Sequence, residues 1–277
     1  MKHLKSSLSD LRQIFEGNIN VRHLAEHFAS FDGSRPVDQV RSFMDPPRDY
    51  DVVGVRRDGL IQGYVNREDF RTGVLDNYFR SFEPDLLLDE SANILDALSI
   101  LRKSPRVYVK VMGQVSGIVT KGDLQKAPVR MWLFGLISLI EMQFLRLIRE
   151  GWPDGSWSKP EMISPDRLEK AREILVDRQR RNEAIDLADC LQFGDKKTIV
   201  LKKEKLRKAL GFESKKCGED ILDKLKKLRD DLSHAQDILA GRWPELVDLA
   251  VAAENILERA EGINADLARV LCAPTAE

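Results

Sequence analysis

Cysteine is scarce in this chain: three residues, Cys190, Cys217 and Cys272, among 277. They are odd in number and widely spaced, which excludes a disulfide scaffold and a zinc knuckle. Histidine is nearly as rare, with four residues, and no paired-His metal motif is expected. A nucleophile elbow with its Ser-His-Asp partners and a Walker-type phosphate loop are missing too. Charge of one sign does not dominate, because the formal net charge is −1. Long apolar runs are also lacking. The longest, residues 131–140 (MWLFGLISLI), is ten residues, where a membrane span needs about twenty. It predicts a buried helix. The opening MKHLKSSLSDLRQIF has no apolar core of a secretory signal, so a cytoplasmic protein without membrane partners is expected.

What the chain does contain is enough apolar material, 43% hydrophobic against 32% charged, for ordinary cores, in a length suited to two domains. The first half holds one pattern twice. Residues 51–70 read DVVGVRRDGLIQGYVNREDF, and residues 106–124 read RVYVKVMGQVSGIVTKGDL. At one constant offset Val53 meets Val107, Val55 meets Val109, Gly63 meets Gly117 and Asp69 meets Asp123. Each copy predicts strand, tight turn, strand and the start of a helix, with turns at Asp58-Gly59 and Met112-Gly113. A helix is expected ahead of the second hairpin, with Ile94, Leu95, Leu98 and Leu101 at helical spacing.

These residues resemble a tandem pair of CBS domains, a Bateman module, over about residues 20–126. Members share a Gly-x-x-Thr/Ser-x-x-Asp stretch. The resemblance implies that the hydroxyl meets phosphate and the Asp carboxylate holds the ribose hydroxyls of an adenine nucleotide, a regulatory ligand. The second copy has the full form, GIVTKGD, with Thr120 and Asp123. The first has GYVNRED, with Asn66 in the hydroxyl position and Asp69 kept. A strand ending at a helix N-terminus offers free backbone N–H groups to phosphate. The same residues serve equally as helix caps, and for Asn66 and Asp69 capping is the stronger expectation.

Beyond Pro128 helical periodicity takes over. Helices are expected at residues 130–150, 165–192, 202–210, 217–239 and 244–270, with a loop at 151–164. The fold class is therefore an α+β pair followed by an all-α bundle, divided as an N-terminal helix (1–19), an α+β module (20–128) and a bundle (129–277).

Within ILDKLKKLRDDLSHAQDIL (221–239), Ile221, Leu225, Leu228, Leu232 and Leu239 form a core stripe, and Arg229 and His234 lie off it. The spacing resembles the Arg-x4-His motif of HEPN-superfamily domains, with Asp230 as the polar residue after the arginine. That resemblance, over about residues 130–262, implies a homodimeric, metal-independent endoribonuclease. Histidine can move the 2′-hydroxyl proton, and arginine offers a fixed charged fork to phosphate. Glu141, an acid in an apolar stretch, is the third candidate, to orient His234 or pair with Arg229. Five positions along one helix turn a side chain by a net ~140°. Arg229 and His234 thus converge only if the helix breaks near 230–233 or two subunits pool their motifs. Residues 196–229 hold thirteen Lys and Arg against five acids, a candidate RNA footprint or a solvated face. The alternative is a non-catalytic nucleotide-responsive regulator. Its helical half would serve dimerisation or partner binding, with Trp132–Ile140 and Trp243 at the interface.

Overall fold

Both valine-rich segments form hairpins, and each repeats the other's irregularities. The structure, a computed structural model, describes residues 13–14, 18–234, 238 and 243–273. Eight strands run in order: β1 (Glu26–His27), β2 (Ser30–Asp32), β3 (Val52–Arg57), β4 (Leu60–Asn66), β5 (Arg80–Ser81), β6 (Leu87–Asp89), β7 (Arg106–Val111) and β8 (Gln114–Thr120). The β3–β4 and β7–β8 hairpins are antiparallel, with register shifts at Val55/Arg56 and Val109/Lys110, matching places in the two copies. Their turns place Asp58 and Gly59, and Met112 and Gly113, at positive φ, the geometry that fits the twist of a two-residue hairpin.

The four-stranded sheets are β2-β3-β4-β5 and β1-β8-β7-β6. β2 runs parallel to β3 and β6 parallel to β7. The outer strand of each sheet is exchanged. β1 opens the first copy yet pairs with β8 of the second, while β5 opens the second copy and pairs with β4 of the first. Two glycines make these crossings. A Cβ on Gly63 would lie 2.3 Å from the Arg80 carbonyl oxygen, and one on Gly117 would lie 3.1 Å from the Ala25 Cβ.

A helix packs in each copy, α1 (Val37–Met44) and α2 (Ile94–Leu101). Asn93 caps α2, its side chain accepting from Leu95 N at 2.9 Å. Val37, Val40 and Met44 bury against Val53, Val55 and Val65. Phe28, Tyr64 and Phe82 surround Tyr108, with ring centroids 4.6–5.3 Å apart. The Tyr108 hydroxyl is buried without a partner among the described residues, and burial raises its pKa above the ordinary tyrosine value. The described residues divide into two compact units, one before and one after residue 130. It is an α+β domain followed by an all-α one.

The helical unit uses α3 (Ala127–Gly151), α4 (Pro165–Arg180), α5 (Phe193–Lys202), α6 (Glu204–Ala209), α7 (Lys215–Ser233), α8 (Trp243–Gly262) and α9 (Ala265–Cys272). α3 carries the apolar run. At 25 residues it is long and apolar enough to cross a bilayer by length and composition, and 61% of its most apolar window is buried in the fold. Trp132 is fully buried, so it is not available as an interface residue; the exposed apolar side chains of α3 are Met131, Phe134 and Met142. Trp243's side chain and most of residues 1–19 lie outside the described residues.

Four helix assignments differ from expectation, one of them α7, which ends at Ser233 rather than near 239. α4 ends at Arg180 rather than near 192, because Asn182 turns left-handed (φ 61°) and Arg178 closes onto Glu183 at 2.6 Å. α5 is an additional helix, opened by a capping box between Gln192 and Asp195. The long last helix is broken in two by Asn264, whose side chain accepts from Leu267 N at 2.9 Å. Arg146 closes the end of α8 by donating to the Ala260 and Ile263 carbonyls at 2.7 and 2.8 Å.

Cys272, the last residue of α9, packs against Gly151 at the end of α3. A Cβ on Gly151 would lie 2.5 Å from its Sγ, and burial pushes the thiol up to about 12. Burial raises Cys190 as well. Since the thiolate is the reactive form, both are expected to stay unmodified at pH 8 in the native protein. Only the half-buried Cys217 should react with a thiol reagent. All three should react in denaturant, and fast native labelling of two or more thiols would contradict this packing.

Candidate functional sites

In the α+β unit a cavity of about 420 Å³ opens beside the end of β8. Thr120 and Asp123 line it, with Glu26, Asp51, Arg106 and Lys121. Asp123 is nearly buried, and its carboxylate is already engaged. Oδ2 accepts from Thr120 N at 2.6 Å and from Thr120 Oγ1 at 2.9 Å, and Oδ1 meets Lys126 Nζ at 2.6 Å. Burial pulls the Lys126 pKa down, but its hydrogen bonds to Asp123 and Glu26 outweigh that, and it lies above the ordinary lysine value. The segment after each hairpin is a short 3-10 turn, Arg67–Asp69 or Lys121–Gln125, rather than the start of an α-helix. A turn this short carries little of a helix dipole, so the charge that meets a phosphate has to come from side chains.

The first copy is wired differently. Arg80 of β5 pairs with Asp69 at 2.6 Å, and Arg106 donates to Asn66 Oδ1 at 2.9 Å and to Asp51 Oδ2 at 2.9 Å. Asn66 Nδ2 reaches Asp69 Oδ2 at 3.4 Å. Both residues thus sit in an internal network. Arg106 was not singled out in the sequence, yet a signal existed: it stands where the first copy has Val52.

The helical unit holds a groove of about 790 Å³ lined by Glu141, Arg229, Asp230, Phe193, Arg167 and Asp195, among others. Glu141 Oε1 accepts from Lys196 Nζ at 2.9 Å, and Oε2 accepts from Arg229 Nη1 at 3.2 Å. Arg229 also pairs with Asp230 at 3.1 Å and lies 5.6 Å from the centroid of the buried Phe193 ring. Lys196 is only 7% exposed in its side chain. Beside it, buried Asp195 takes a two-pronged bond from Arg167, at 2.7 and 2.9 Å. Lys196 and Asp195 also escaped the sequence; the available signal was a lysine at helical spacing between Phe193 and Val200.

The structure therefore brings Glu141 and Arg229 together and leaves His234 apart. α7 runs unbroken to Ser233, so the first of the two conditions for convergence, a break at 230–233, is not met; His234 is the C-cap and is exposed. Seven of the thirteen cations in residues 196–229 are held in ion pairs, among them Lys197 with Asp223 and Lys224 with Glu245. That tempers the basic footprint.

The segment HLAEH (23–27) has the His-x-x-Glu-His spacing of an inverted zinc helix. Here it spans the end of a 3-10 turn (Val21–His23) and β1, so the two rings do not share a helix face. Among the described residues no group of three or more His, Cys, Asp or Glu is placed to hold a metal ion. Compared with known proteins, the chain matches no family model and no curated sequence.

Proposed function

We propose that the α+β unit is a tandem CBS module that binds an adenine nucleotide, and that the helical unit is a HEPN-type bundle whose activity the nucleotide regulates. The observation that carries this is the duplicated, strand-exchanged hairpin with Thr120 and Asp123 on the wall of an open cleft. Cleavage of RNA without metal is the activity assigned to the bundle. Arg229, held at the groove by Glu141, supplies charge to phosphate, and exposed His234 moves the proton. Since His234 caps the end of α7 and does not line the groove that Arg229 lines, the working pair comes from two copies of the chain in a homodimer. Three free thiols suit the cytoplasm.

A second reading has its own observation. Arg229 is tied to both Glu141 and Asp230, as a purely structural arginine would be. The helical unit is then a dimerisation or partner-binding surface.

One experiment separates them. Purified protein is incubated with RNA in EDTA, with and without adenine nucleotides, beside His234→Ala and Asp123→Asn. Cleavage that persists in EDTA, responds to nucleotide and disappears in His234→Ala is expected, with the nucleotide response lost in Asp123→Asn. Nucleotide at a hundred times its Kd should also stabilise the native protein by about 2.7 kcal/mol. Binding without cleavage would favour the non-catalytic regulator, and no thermal shift at millimolar nucleotide would end the sensing proposal.

A further inference from the structure

The charge on the cleft wall limits which ligand it accepts. Four carboxylates line it, those of Glu26, Asp49, Asp51 and Asp123, against two permanent cations, Arg106 and Lys121, with the His27 imidazole beside them. Cations behind the wall do not reverse the balance. Lys126 is shared between Glu26 and Asp123, at 3.0 and 2.6 Å. Arg67 is shared between Asp49 and Asp45, at 2.9 and 3.7 Å. Arg106, with 12% of its side chain exposed, is paired with Asp51 at 2.9 Å. Even with these partners included, acids outnumber cations by one. Lys121 is exposed, and its side chain makes no ion pair or hydrogen bond among the described residues.

A phosphate entering the cleft thus meets one unengaged ammonium among fixed carboxylates. The backbone adds little, because the adjoining turn is short and Thr120 N already donates to Asp123. The Thr120 hydroxyl donates to the same carboxylate, so it greets an incoming oxygen with lone pairs rather than a proton. A phosphomonoester brings about two negative charges, which Lys121 and the spare donors of Arg106 can face. Each further phosphate adds charge that no cation on this wall is free to meet.

We infer, on the basis of the nucleotide-binding reading above, that the cleft takes an adenosine-type nucleoside with at most one phosphate and discriminates against di- and triphosphates. Lys121 is the residue that recognises the phosphate. Asp51 and Glu26 supply the discrimination.

Calorimetric titration of the full chain tests this, in EDTA at low ionic strength, with adenosine, AMP, ADP and ATP. AMP is expected to bind at least tenfold more tightly than ATP, equivalent to about 1.4 kcal/mol. Lys121→Ala should weaken AMP at least fivefold more than it weakens adenosine. Asp51→Asn and Glu26→Gln should each narrow the gap between AMP and ATP. ATP binding as tightly as AMP would overturn the inference while leaving nucleotide binding intact, as would a Lys121→Ala effect equal for AMP and adenosine. If no member of the series binds, the nucleotide-binding reading fails and the discrimination falls with it.

Discussion

Replacing Glu141 with glutamine is expected to destabilise the helical unit by about 2–3 kcal/mol. Among the described residues Glu141 is the one ion-pair partner of Lys196, whose side chain is 7% exposed. Removing one partner of a buried pair strands the other charge, at a cost of about 3–5 kcal/mol. The lower figure applies because the Glu141 side chain is 24% exposed and solvent screens it in part. Arg229 retains Asp230, so its loss is smaller. The reverse substitution, Lys196→Met, should cost only about 1 kcal/mol, since Glu141 keeps Arg229 and the thioether side chain fills the lysine's apolar channel. The pair Glu141→Gln with Lys196→Met should recover most of the single Glu141 loss, a coupling that a double-mutant cycle measures. All four tryptophans, 132, 152, 157 and 243, lie in the helical half. Tryptophan emission during denaturant unfolding therefore reports this unit alone. Equal losses for the two single variants, with no recovery in the double, would show that the Lys196–Glu141 contact is energetically idle.

The second large effect is expected at Gly63. Alanine there puts a methyl group 2.3 Å from the Arg80 carbonyl oxygen and 2.5 Å from the Phe79 ring. The obstacle includes backbone, so β5 has to move and its pairing to β4 is disturbed. The cost should reach about 3 kcal/mol, the upper end of what overpacking produces. At the matching position, Gly117→Ala meets the Ala25 and Val109 Cβ atoms at 3.1 and 3.2 Å. A shift of a few tenths of an ångström relieves that, so about 1 kcal/mol is expected. Far-UV circular dichroism should show an earlier transition for Gly63→Ala that tryptophan emission does not follow. Equal effects at the two glycines would mean that the two strand crossings are equally tight.

The hairpins were legible because valines on a period of two, with a glycine at each turn, leave few other structures open. The exchange of outer strands was not. Glu26–His27 and Arg80–Ser81 are two residues each, too short to carry any periodicity. α5 escaped for a different reason: Gly194, Thr198, Ile199 and Val200 are weak helix formers, and its stability comes from a cap and from burial. Among the site residues, Asp123 and Thr120 could be found by setting one copy against the other. That comparison gives no hint that Lys126 holds the Asp123 carboxylate. Glu141 stood out as an acid amid apolar residues, but its meeting with Arg229 depends on how helices eighty-eight positions apart pack, which local sequence does not encode. His234 stands out by its spacing from Arg229 and as the one histidine of the helical half, and neither feature says where α7 stops.

The exchanged strands also set an order of assembly as the chain leaves the ribosome. One sheet draws all four of its strands from residues 30–81, so it can close while the rest is still being made. The other must wait: Glu26 pairs with Ile118, ninety-two positions later. Until then β1, among the earliest strands synthesised, has no partner and the edge of β4 gains β5 only when residue 81 emerges. Domains are completed from the N-terminus onward during synthesis, and pairings this distant are slow to form. A nascent chain that has emerged as far as residue 83 therefore carries one finished sheet and a first strand without its partner, and neither copy can be cut away as a self-sufficient piece.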